Sequence, residues 1–239
     1  MYRSTYDTDV ITWSPQGRVY QIEYAMEAVR QGTCGIGARS NTHVVLCGLR
    51  RAANKLAAHN RKILEVDEHI GASFAGITAD AKILTEEMRH KCLHHKLTFG
   101  SPIQVQRLVI DVADRSQKNT QLASRRPFGV GLLIAGYDST GPHLFETCPS
   151  GNFYEYYAHA FGARCQSART FLEKHLDDLA EYTPEELIVH ALKALRSSLE
   201  SDQQLTLEKL HVAIVGKDQP FKELTAEELE RYLDISGRE

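Results

Sequence analysis

The order of strand-like and helix-like segments constrains the fold of this chain more than any single motif does. Strand-like segments follow one another in groups joined by short turns, and helix-like segments come mostly in pairs between these groups. Segments 33–39 and 43–49, for example, flank Ser40-Asn41-Thr42, a short polar connection that predicts a hairpin. The order indicates mainly antiparallel sheets with grouped helices, an α+β arrangement. It permits a four-layer α/β/β/α sandwich in which each sheet is faced by one helix pair.

Helix starts are predicted from hydroxyl residues placed before apolar periodic segments. Thr78 is a candidate N-cap, and Ser101 followed by Pro102 predicts a second helix start. Thr183 with Glu186 forms a capping box before a third helix. The other predicted segments are strands at 62–66, 69–76, 128–137, 143–146, 152–161 and 210–216, and helices at 18–31, 79–97, 166–179, 184–199 and 226–233.

Two helices are expected to bury an apolar stripe. The helix that opens at 101–104 should bury Val105, Leu108, Val109 and Val112. In the helix 79–97, the residues expected to face the core are Ile83, Leu84, Met88, Cys92 and Leu93.

Composition is typical of a water-soluble globular protein. Of the 239 residues, 42% are hydrophobic and 25% are charged, and the longest apolar stretch, Gly129 to Gly136, is far shorter than the ~20 residues of a bilayer span. The net charge of −3 does not suit a protein that binds nucleic acid by neutralising phosphates. Five scattered cysteines without a C-x-x-C pair indicate a reducing compartment, and no export signal is expected. We expect neither nucleic acid nor a membrane as partner.

Common catalytic and cofactor patterns are missing from the sequence. Glycine pairs at 35–37 and 129–131 lack the third glycine of a dinucleotide turn, and no phosphate-binding G-x-x-x-x-G-K-[ST] loop is present. His90 and His94 share a helix face, but further ligands at zinc-site spacing are lacking, so an exposed face is the better interpretation. Arg125-Arg126 could grip a phosphate or form an ordinary ion pair. We expect no cofactor and no metal.

The amino-terminal block differs from the rest of the chain. Residues 1–17 are polar and turn-rich and end in Ser14-Pro15-Gln16-Gly17. A helix follows over 18–31, and Gly32 is a plausible stop. The apolar face of this helix requires a covering surface, and it consists of Val19, Ile22, Met26 and Val29.

This block resembles the signature of proteasome α subunits. The resemblance begins with Tyr6-Asp7 and the run WSPQGRVYQIEYAMEAV from Trp13 to Val29. It continues through GITADA from Gly76, RPFGVG from Arg126 and GYD from Gly136, and so covers nearly the whole chain. Within the family, these segments are most similar to the eukaryotic type-1 group.

The resemblance implies the four-layer sandwich of N-terminal-nucleophile hydrolases with an extra N-terminal helix. It divides the chain into a gating tail at 1–17, the N-terminal helix at 18–32 and one sandwich domain at 33–239. It also implies the partners: other α subunits in a seven-membered outer ring, the β rings that cut peptide bonds, and activators that insert carboxyl-terminal tails. Such particles carry out ubiquitin-dependent protein degradation in the cytoplasm and nucleus.

Peptide cleavage by this chain is not expected. The β-subunit chemistry uses a threonine whose freed α-amine is the base, helped by a Lys and an Asp. Here the aligned threonine is Thr33, whose nitrogen is an amide, and the aligned Asp is Leu49. Lys62 matches the helper Lys, which alone makes no catalytic site. The alternative is an active N-terminal-threonine hydrolase, which requires cleavage before Thr33.

The resemblance assigns gating roles to Tyr6, Asp7, Pro15 and Tyr24, in which a Tyr–Asp hydrogen bond would hold the tail open. The Arg that commonly follows this Tyr-Asp pair is Thr8 here. Packing of the tail on the helix is an equally good interpretation of the Tyr and Pro residues.

The resemblance also assigns activator binding to Lys62, Gly32, Pro15 and Gly17. An ammonium suits a terminal carboxylate, and Gly32 would let a tail backbone approach closely. From the residues alone, Lys62 in the basic pair Arg61-Lys62 is better interpreted as a solvated side chain.

Overall fold

The structure is a computed structural model that describes residues 5–51, 56–57, 60–199 and 205–237. The first four residues of the predicted tail and the last two of the chain lie outside these ranges. The strands are β1 Gly35–Arg39, β2 His43–Leu49, β3 Ile63–Asp67, β4 Ile70–Gly76, β5 Val130–Asp138, β6 Gly141–Thr147, β7 Phe153–Glu155, β8 Ala158–Phe161, β9 Leu210–Gly216 and β10 Gln219–Glu223. The α-helices are α1 Tyr20–Arg30, α2 Thr78–Phe99, α3 Val105–Asn119, α4 Cys165–Lys174, α5 Pro184–Ser197 and α6 Ala226–Ser236, with short 3₁₀ turns at Leu179–Glu181 and Leu207–Lys209.

The strands form two five-stranded sheets, and every pairing between neighbouring strands is antiparallel. The first sheet has the order β10-β9-β2-β1-β8, and the second has the order β3-β4-β5-β6-β7. Helices α4, α5 and α6 cover the first sheet, and α2 and α3 cover the second. The predicted α/β/β/α sandwich of the α+β class is therefore confirmed.

Apolar side chains fill all three spaces between the four layers. Both faces of the central strands are apolar, because each sheet packs against a helix layer on one side and the other sheet on the other. Leu133 on β5 and Leu144 on β6 lie in the space between the sheets, and both are fully buried. The rest of that inner core consists of Val44, Leu46, Ile63, Ala75, Ala135, Phe161, Ala213 and Val215.

Helix α1 lies on the second sheet outside this sandwich order, against β4 and β5. The side chain of Val29 on this helix packs against Gly131 so closely that a Cβ added to Gly131 would lie 3.0 Å from Val29 Cγ1. Ala25 is the buried residue of the helix, while Val19, Ile22, Met26 and Val29 are half-buried. The predicted apolar face is thus only partly covered within the chain.

The chain crosses between the sheets where one strand was predicted at 152–161. The structure has two strands there, β7 in the second sheet and β8 in the first. The Tyr156 N–H donates to Leu144 O of β6 at 2.9 Å, and the Tyr157 carbonyl accepts from Arg39 N–H of β1 at 2.8 Å. Since both links use backbone groups, the side-chain pattern does not reveal the crossing.

Two predicted helix caps are wrong. Helix α2 begins at Thr78 itself, so the cap position is Ile77 and no side chain caps it. Helix α3 begins at Val105, four residues after Ser101, and its first N–H donates to Asp138 Oδ2 of β5 at 3.0 Å. That acceptor is distant in sequence, so a local pattern cannot find it. The Thr183–Glu186 capping box is confirmed.

The buried stripe of α2 also differs from the prediction. Ile83 and Leu93 are 52% and 57% exposed, whereas Leu84, Met88 and Cys92 are buried as expected. The stripe is completed by smaller and polar residues at helical spacing, namely Asp80, Ala81 and Thr85. Strand β10, which follows the tight turn at Asp218 with φ of 56°, was not predicted.

Asp80 connects two segments that are far apart in sequence. Its carboxylate accepts hydrogen bonds from both Arg126 terminal nitrogens, at 2.6 and 2.7 Å, and from the Gly129 N–H at 2.9 Å. The guanidinium of Arg126 lowers the pKa of Asp80, and the Gly129 N–H adds to this. The residue pair therefore fastens the start of α2 to the segment that leads into β5, and Arg126 is an ion-pairing residue.

We predict that Leu133→Ala lowers the free energy of unfolding by about 2–5 kcal/mol, because it empties a fully buried site between the sheets. Denaturant unfolding of the isolated chain followed by circular dichroism measures this. Leu97→Ala is the matched control: Leu97 is 78% exposed, so a change of under about 0.5 kcal/mol is expected. Equal losses for both variants would contradict the described core.

We predict that Asp80→Asn costs about 1.5–3 kcal/mol at neutral pH, the range for hydrogen bonds to charged groups. Because the folded pKa of Asp80 is lowered, its contribution is complete above the unfolded value of about 3.9 and is lost as pH falls through the folded pKa. The stability gap between wild type and variant should therefore shrink below about pH 4. Asp111→Asn, which removes a half-exposed pair with Lys91, should cost at most about 1 kcal/mol.

Candidate functional site

A cleft of about 590 Å³ opens where the end of α1 meets the two sheets. It lies at the amino end of β1, the carboxyl end of β2 and the start of β3, so it contains Thr33, Leu49 and Lys62. The other described residues that line it are Ala28, Gln31, Gly32, Arg50, Arg51, Asn60, Arg61, Phe74, Gly76, Ile77 and Thr78. The three residues aligned with a catalytic set are thus neighbours in space.

Backbone hydrogen bonds fix the Gly32–Thr33 segment at the edge of this cleft. The Gly32 N–H donates to Val29 O of α1 at 3.0 Å, and the Gly32 carbonyl accepts from the Ala163 N–H at 2.7 Å. The Leu49 N–H donates to Cys34 O at 3.0 Å. Thr33 therefore passes directly from the helix into the first sheet within an ordered connection.

Lys62 is buried at the floor of the cleft, being only 4% exposed. Its Nζ donates to the Thr33 carbonyl oxygen at 2.5 Å and lies 5.6 and 5.7 Å from the ring centroids of Phe74 and Phe161. Burial between these rings lowers the pKa of Lys62 to about 7. The interpretation of Lys62 as a solvated side chain is therefore wrong, whereas its neighbour Arg61 is exposed.

The described lining of the cleft has cationic side chains and no carboxylate. The cationic side chains are those of Arg50, Arg51, Arg61 and Lys62. Arg61 forms an ion pair with Glu223, which is remote in sequence, at 3.7 Å between Nη1 and Oε1. A concave surface with this charge attracts an anion and strengthens a charge-assisted hydrogen bond to it. The sequence alone does not identify Arg50 and Arg51 as cleft residues; their position directly after Leu49 is the available signal.

Gly32 is required for packing between chain segments. A Cβ at this position would lie 2.4 Å from the Gly76 nitrogen at the end of β4. Gly76, with φ of 113°, in turn approaches Gly129, whose carbonyl oxygen accepts the Ile77 N–H at 2.8 Å. The glycines therefore let α1, β4 and the segment held by Asp80 meet beside the cleft.

The tail is attached to α1 through Asp7. The Tyr24 hydroxyl donates to Asp7 Oδ2 at 3.1 Å, and Gln21 Nε2 donates to the Asp7 carbonyl at 2.6 Å. The hydrogen bond to Asp7 raises the pKa of Tyr24. Tyr24 also stacks on Tyr20 with a centroid distance of 6.4 Å. The expected Tyr–Asp hydrogen bond is present, and Gln21 is an additional link that no sequence pattern indicates.

Pro15 and Gly17 belong to a tight turn that precedes α1. The Gly17 N–H donates to Ser14 O at 2.9 Å, and the Arg18 N–H donates to Ser14 Oγ at 3.1 Å. Gly17 has φ of +74°, a left-handed conformation that glycine adopts without strain. Pro15 is exposed at the turn. Neither Pro15 nor Gly17 is among the described residues that line the Lys62 cleft.

The structure thus brings together two parts of the predicted site. Gly32 and Lys62 share the cleft, and Asp7 and Tyr24 share the hydrogen bond on α1. Tyr6 is 42% exposed next to Asp7.

Within the described part of the chain, no three His, Cys, Asp or Glu residues are arranged to hold a metal. None of the described helices combines the length and hydrophobicity that crossing a bilayer requires.

Comparison with known proteins identifies the family. A model described as "Proteasome subunit" matches residues 29–215, and a model of the N-terminal signature of A-type proteasome subunits matches residues 6–28. The first match alone covers more than half of the chain and includes the cleft residues 32–78. The second contains the tail link from Asp7 to Tyr24.

Full-length relatives agree with these matches. The alpha type-1 proteasome subunit of Dictyostelium discoideum is 45% identical over 100% of this chain and 97% of its own length. The alpha type-6 proteasome subunit of Saccharomyces cerevisiae is 46% identical over 98% of this chain and 100% of its own length. The probable alpha type-6 proteasome subunit of Schizosaccharomyces pombe is 45% identical over 99% of this chain and 87% of its own length. The chain therefore belongs to the family of proteasome α subunits.

Proposed function

We propose that this chain is a non-catalytic subunit of the outer α ring of the 20S proteasome core particle. In this role it assembles with other α subunits in a seven-membered ring and rests on a β ring. The partly covered apolar face of α1 supports this assembly, because such a face suits an interface with a neighbouring subunit. The particle would act in ubiquitin-dependent protein degradation in the cytoplasm and nucleus.

One observation carries the non-catalytic assignment: the nitrogen of Thr33 is a peptide nitrogen in an ordered connection between α1 and β1. An amide nitrogen has no basic lone pair and cannot take the proton of the threonine hydroxyl. Lys62 donates to the Thr33 carbonyl, so this potential helper is engaged with the backbone. Leu49 supplies no carboxylate to orient either group.

The alternative, an active N-terminal-threonine hydrolase, requires cleavage between Gly32 and Thr33. Such cleavage would separate α1 from β1 and leave the cleft without an acidic residue among its described lining. No observation on this chain favours it over the non-catalytic role.

The cleft is proposed to dock the carboxyl-terminal tail of an activator. A terminal carboxylate entering it would meet Lys62 at the floor and Arg50 and Arg61 at the sides. Gly32 and Gly76 keep the neighbouring backbone free of side chains. Because Pro15 and Gly17 do not line this cleft, we propose that they act on the tail side, where the 14–17 turn sets the direction of residues 5–13.

The segment 1–17 is proposed to contribute to the gate of the ring. The hydrogen bond between Tyr24 and Asp7 and the link from Gln21 give the tail a defined position on α1. Both contacts are exposed or half-buried, which suits a tail that exchanges between two arrangements.

We predict that the chain keeps its leading segment in the assembled particle. The intact mass of the subunit should be that of a chain in which residues 1–32 are still attached to Thr33. A threonine-directed covalent inhibitor should not label the subunit. A mature polypeptide that begins at Thr33 and carries the inhibitor would overturn the non-catalytic assignment. Leu49→Asp is the control: it restores a carboxylate, yet labelling should stay absent because the Thr33 nitrogen is still acylated.

We predict that Lys62→Ala weakens binding of a peptide with a free carboxyl terminus by about 10- to 100-fold, the value of a charge-assisted hydrogen bond. Fluorescence anisotropy with assembled particles measures this, and an amidated peptide should show no difference between wild type and variant. Lys96→Ala is the matched control, since Lys96 lies outside the cleft and pairs with Glu68 at 3.6 Å.

The pH dependence of this binding has a defined sign. The pKa of Lys62 is about 7 in the empty cleft, so the ammonium is present below this pH and is lost above it. Affinity should therefore fall as pH rises above about 7, and bound carboxylate should move the fall to higher pH. If the affinity does not change with pH and Lys62→Ala binds the peptide normally, Lys62 does not hold the carboxyl terminus of the activator peptide.

A further inference from the structure

A buried histidine lies directly behind the cleft. His211 on β9 is 1% exposed, and its Nδ1 lies 3.2 Å from the Lys62 nitrogen and 3.1 Å from the Ile63 nitrogen. Both partners are backbone N–H groups and can only donate. The imidazole Nδ1 must therefore accept both hydrogen bonds, which requires that it carry no proton.

The other ring nitrogen faces a carboxylate. Glu223 Oε2 on β10 lies 3.0 Å from His211 Nε2, although the two atoms are not aligned as a hydrogen bond. The tautomer is therefore set by the two backbone N–H groups at Nδ1, and the proton of the neutral ring lies on Nε2, toward the carboxylate. Glu223, His211 and the start of β3 form a connected series from the edge strand of the first sheet to the second sheet.

The backbone of Lys62 is joined to this series at the start of β3. Lys62 stands directly before β3, and the Phe74 N–H and the Ser73 hydroxyl reach its carbonyl only at 3.4 Å. Its backbone N–H is held by His211. Among the described hydrogen bonds of the Lys62 backbone, the one to His211 is therefore the shortest, at 3.2 Å.

We propose that His211 is the positioning residue of the cleft, a neutral imidazole that holds the Lys62–Ile63 backbone so that Lys62 Nζ points at Thr33 and at an incoming carboxylate. The part concerning the carboxylate rests on the proposed docking function, whereas the positioning of Lys62 does not. In this proposal His211 contacts neither the incoming carboxylate nor Thr33, and it acts through Lys62.

The charges around His211 agree with a neutral ring. Arg50 follows β2, Arg61 precedes β3, and Glu223 faces the ring from β10. Burial lowers the pKa of His211, Arg50 and Arg61 lower it further, and Glu223 opposes them. A protonated ring would turn an N–H toward two backbone N–H groups and release the start of β3.

Two substitutions of similar polarity test this proposal. The side-chain oxygen of Asn in His211→Asn can replace Nδ1 as acceptor, whereas the longer Gln in His211→Gln places its amide near Nε2. Both variants would be compared in assembled particles and as the isolated full chain. The first readout is the pH midpoint at which a small acylating reagent modifies Lys62, followed by mass spectrometry.

In the wild type and in His211→Asn, we expect a midpoint near 7, the value set by burial of Lys62. In His211→Gln, the released Lys62 becomes solvated, so the midpoint should move toward the ordinary lysine value of about 10.4. The second readout is binding of the carboxyl-terminal peptide, which should weaken about tenfold in His211→Gln and change less than about twofold in His211→Asn.

The outcomes separate the two proposals. An unchanged Lys62 midpoint in a folded His211→Gln overturns the positioning role, and so does an equal shift in both variants. A shifted midpoint with unchanged peptide binding supports positioning and contradicts docking at Lys62. If His211→Gln does not fold, His211→Ser replaces it: its shorter side chain places no acceptor at the Nδ1 position, so the Lys62 midpoint should again rise, while His211→Asn keeps the wild-type value.

Discussion

The buried ammonium of Lys62 and its hydrogen bond to the Thr33 carbonyl are the interaction on which the site depends. Taking a lysine out of water is costly, and this chain offsets only part of that cost with one backbone acceptor and two aromatic faces. The cationic form is therefore weakly stabilised when the cleft is empty. Such a group gains most when an anion enters, which supports the proposed docking of an activator's carboxyl terminus.

The same cleft gives the physical basis for the proposed non-catalytic role. Its geometry brings Thr33, Leu49 and Lys62 together, but the peptide bond before Thr33 removes the base and Leu49 removes the carboxylate. The leading helix that blocks the nitrogen also supplies the wall of the cleft and the anchor for the tail. In the proposed function, one segment thus blocks the nitrogen, lines the docking cleft and holds residues 5–17 in a fixed position.

Much of the architecture could be predicted from sequence because it depends on local periodicity. The bounds of β2 and β9 and the capping box of α5 agree with the prediction, since each is set by neighbouring residues. The failures involve distant partners. The cap of α3 comes from Asp138, and the partner of Asp80 is Arg126; neither pairing leaves a local pattern. The family resemblance assigned Gly32 and Lys62 to one site, whereas Arg50, Arg51 and the burial of Lys62 follow only from the structure.

The sequence by itself determined the mainly antiparallel strand pairing and the family, because these follow from the order of periodic segments and from motifs. Only the tertiary structure decided the state of Lys62. A lysine beside an arginine is normally solvated, whereas here the Lys62 side chain lies between the rings of Phe74 on β4 and Phe161 on β8, and its backbone N–H donates to His211 on β9. The histidine contacts join residues about 150 positions apart, and the burial that lowers the pKa of Lys62 follows from the fold alone.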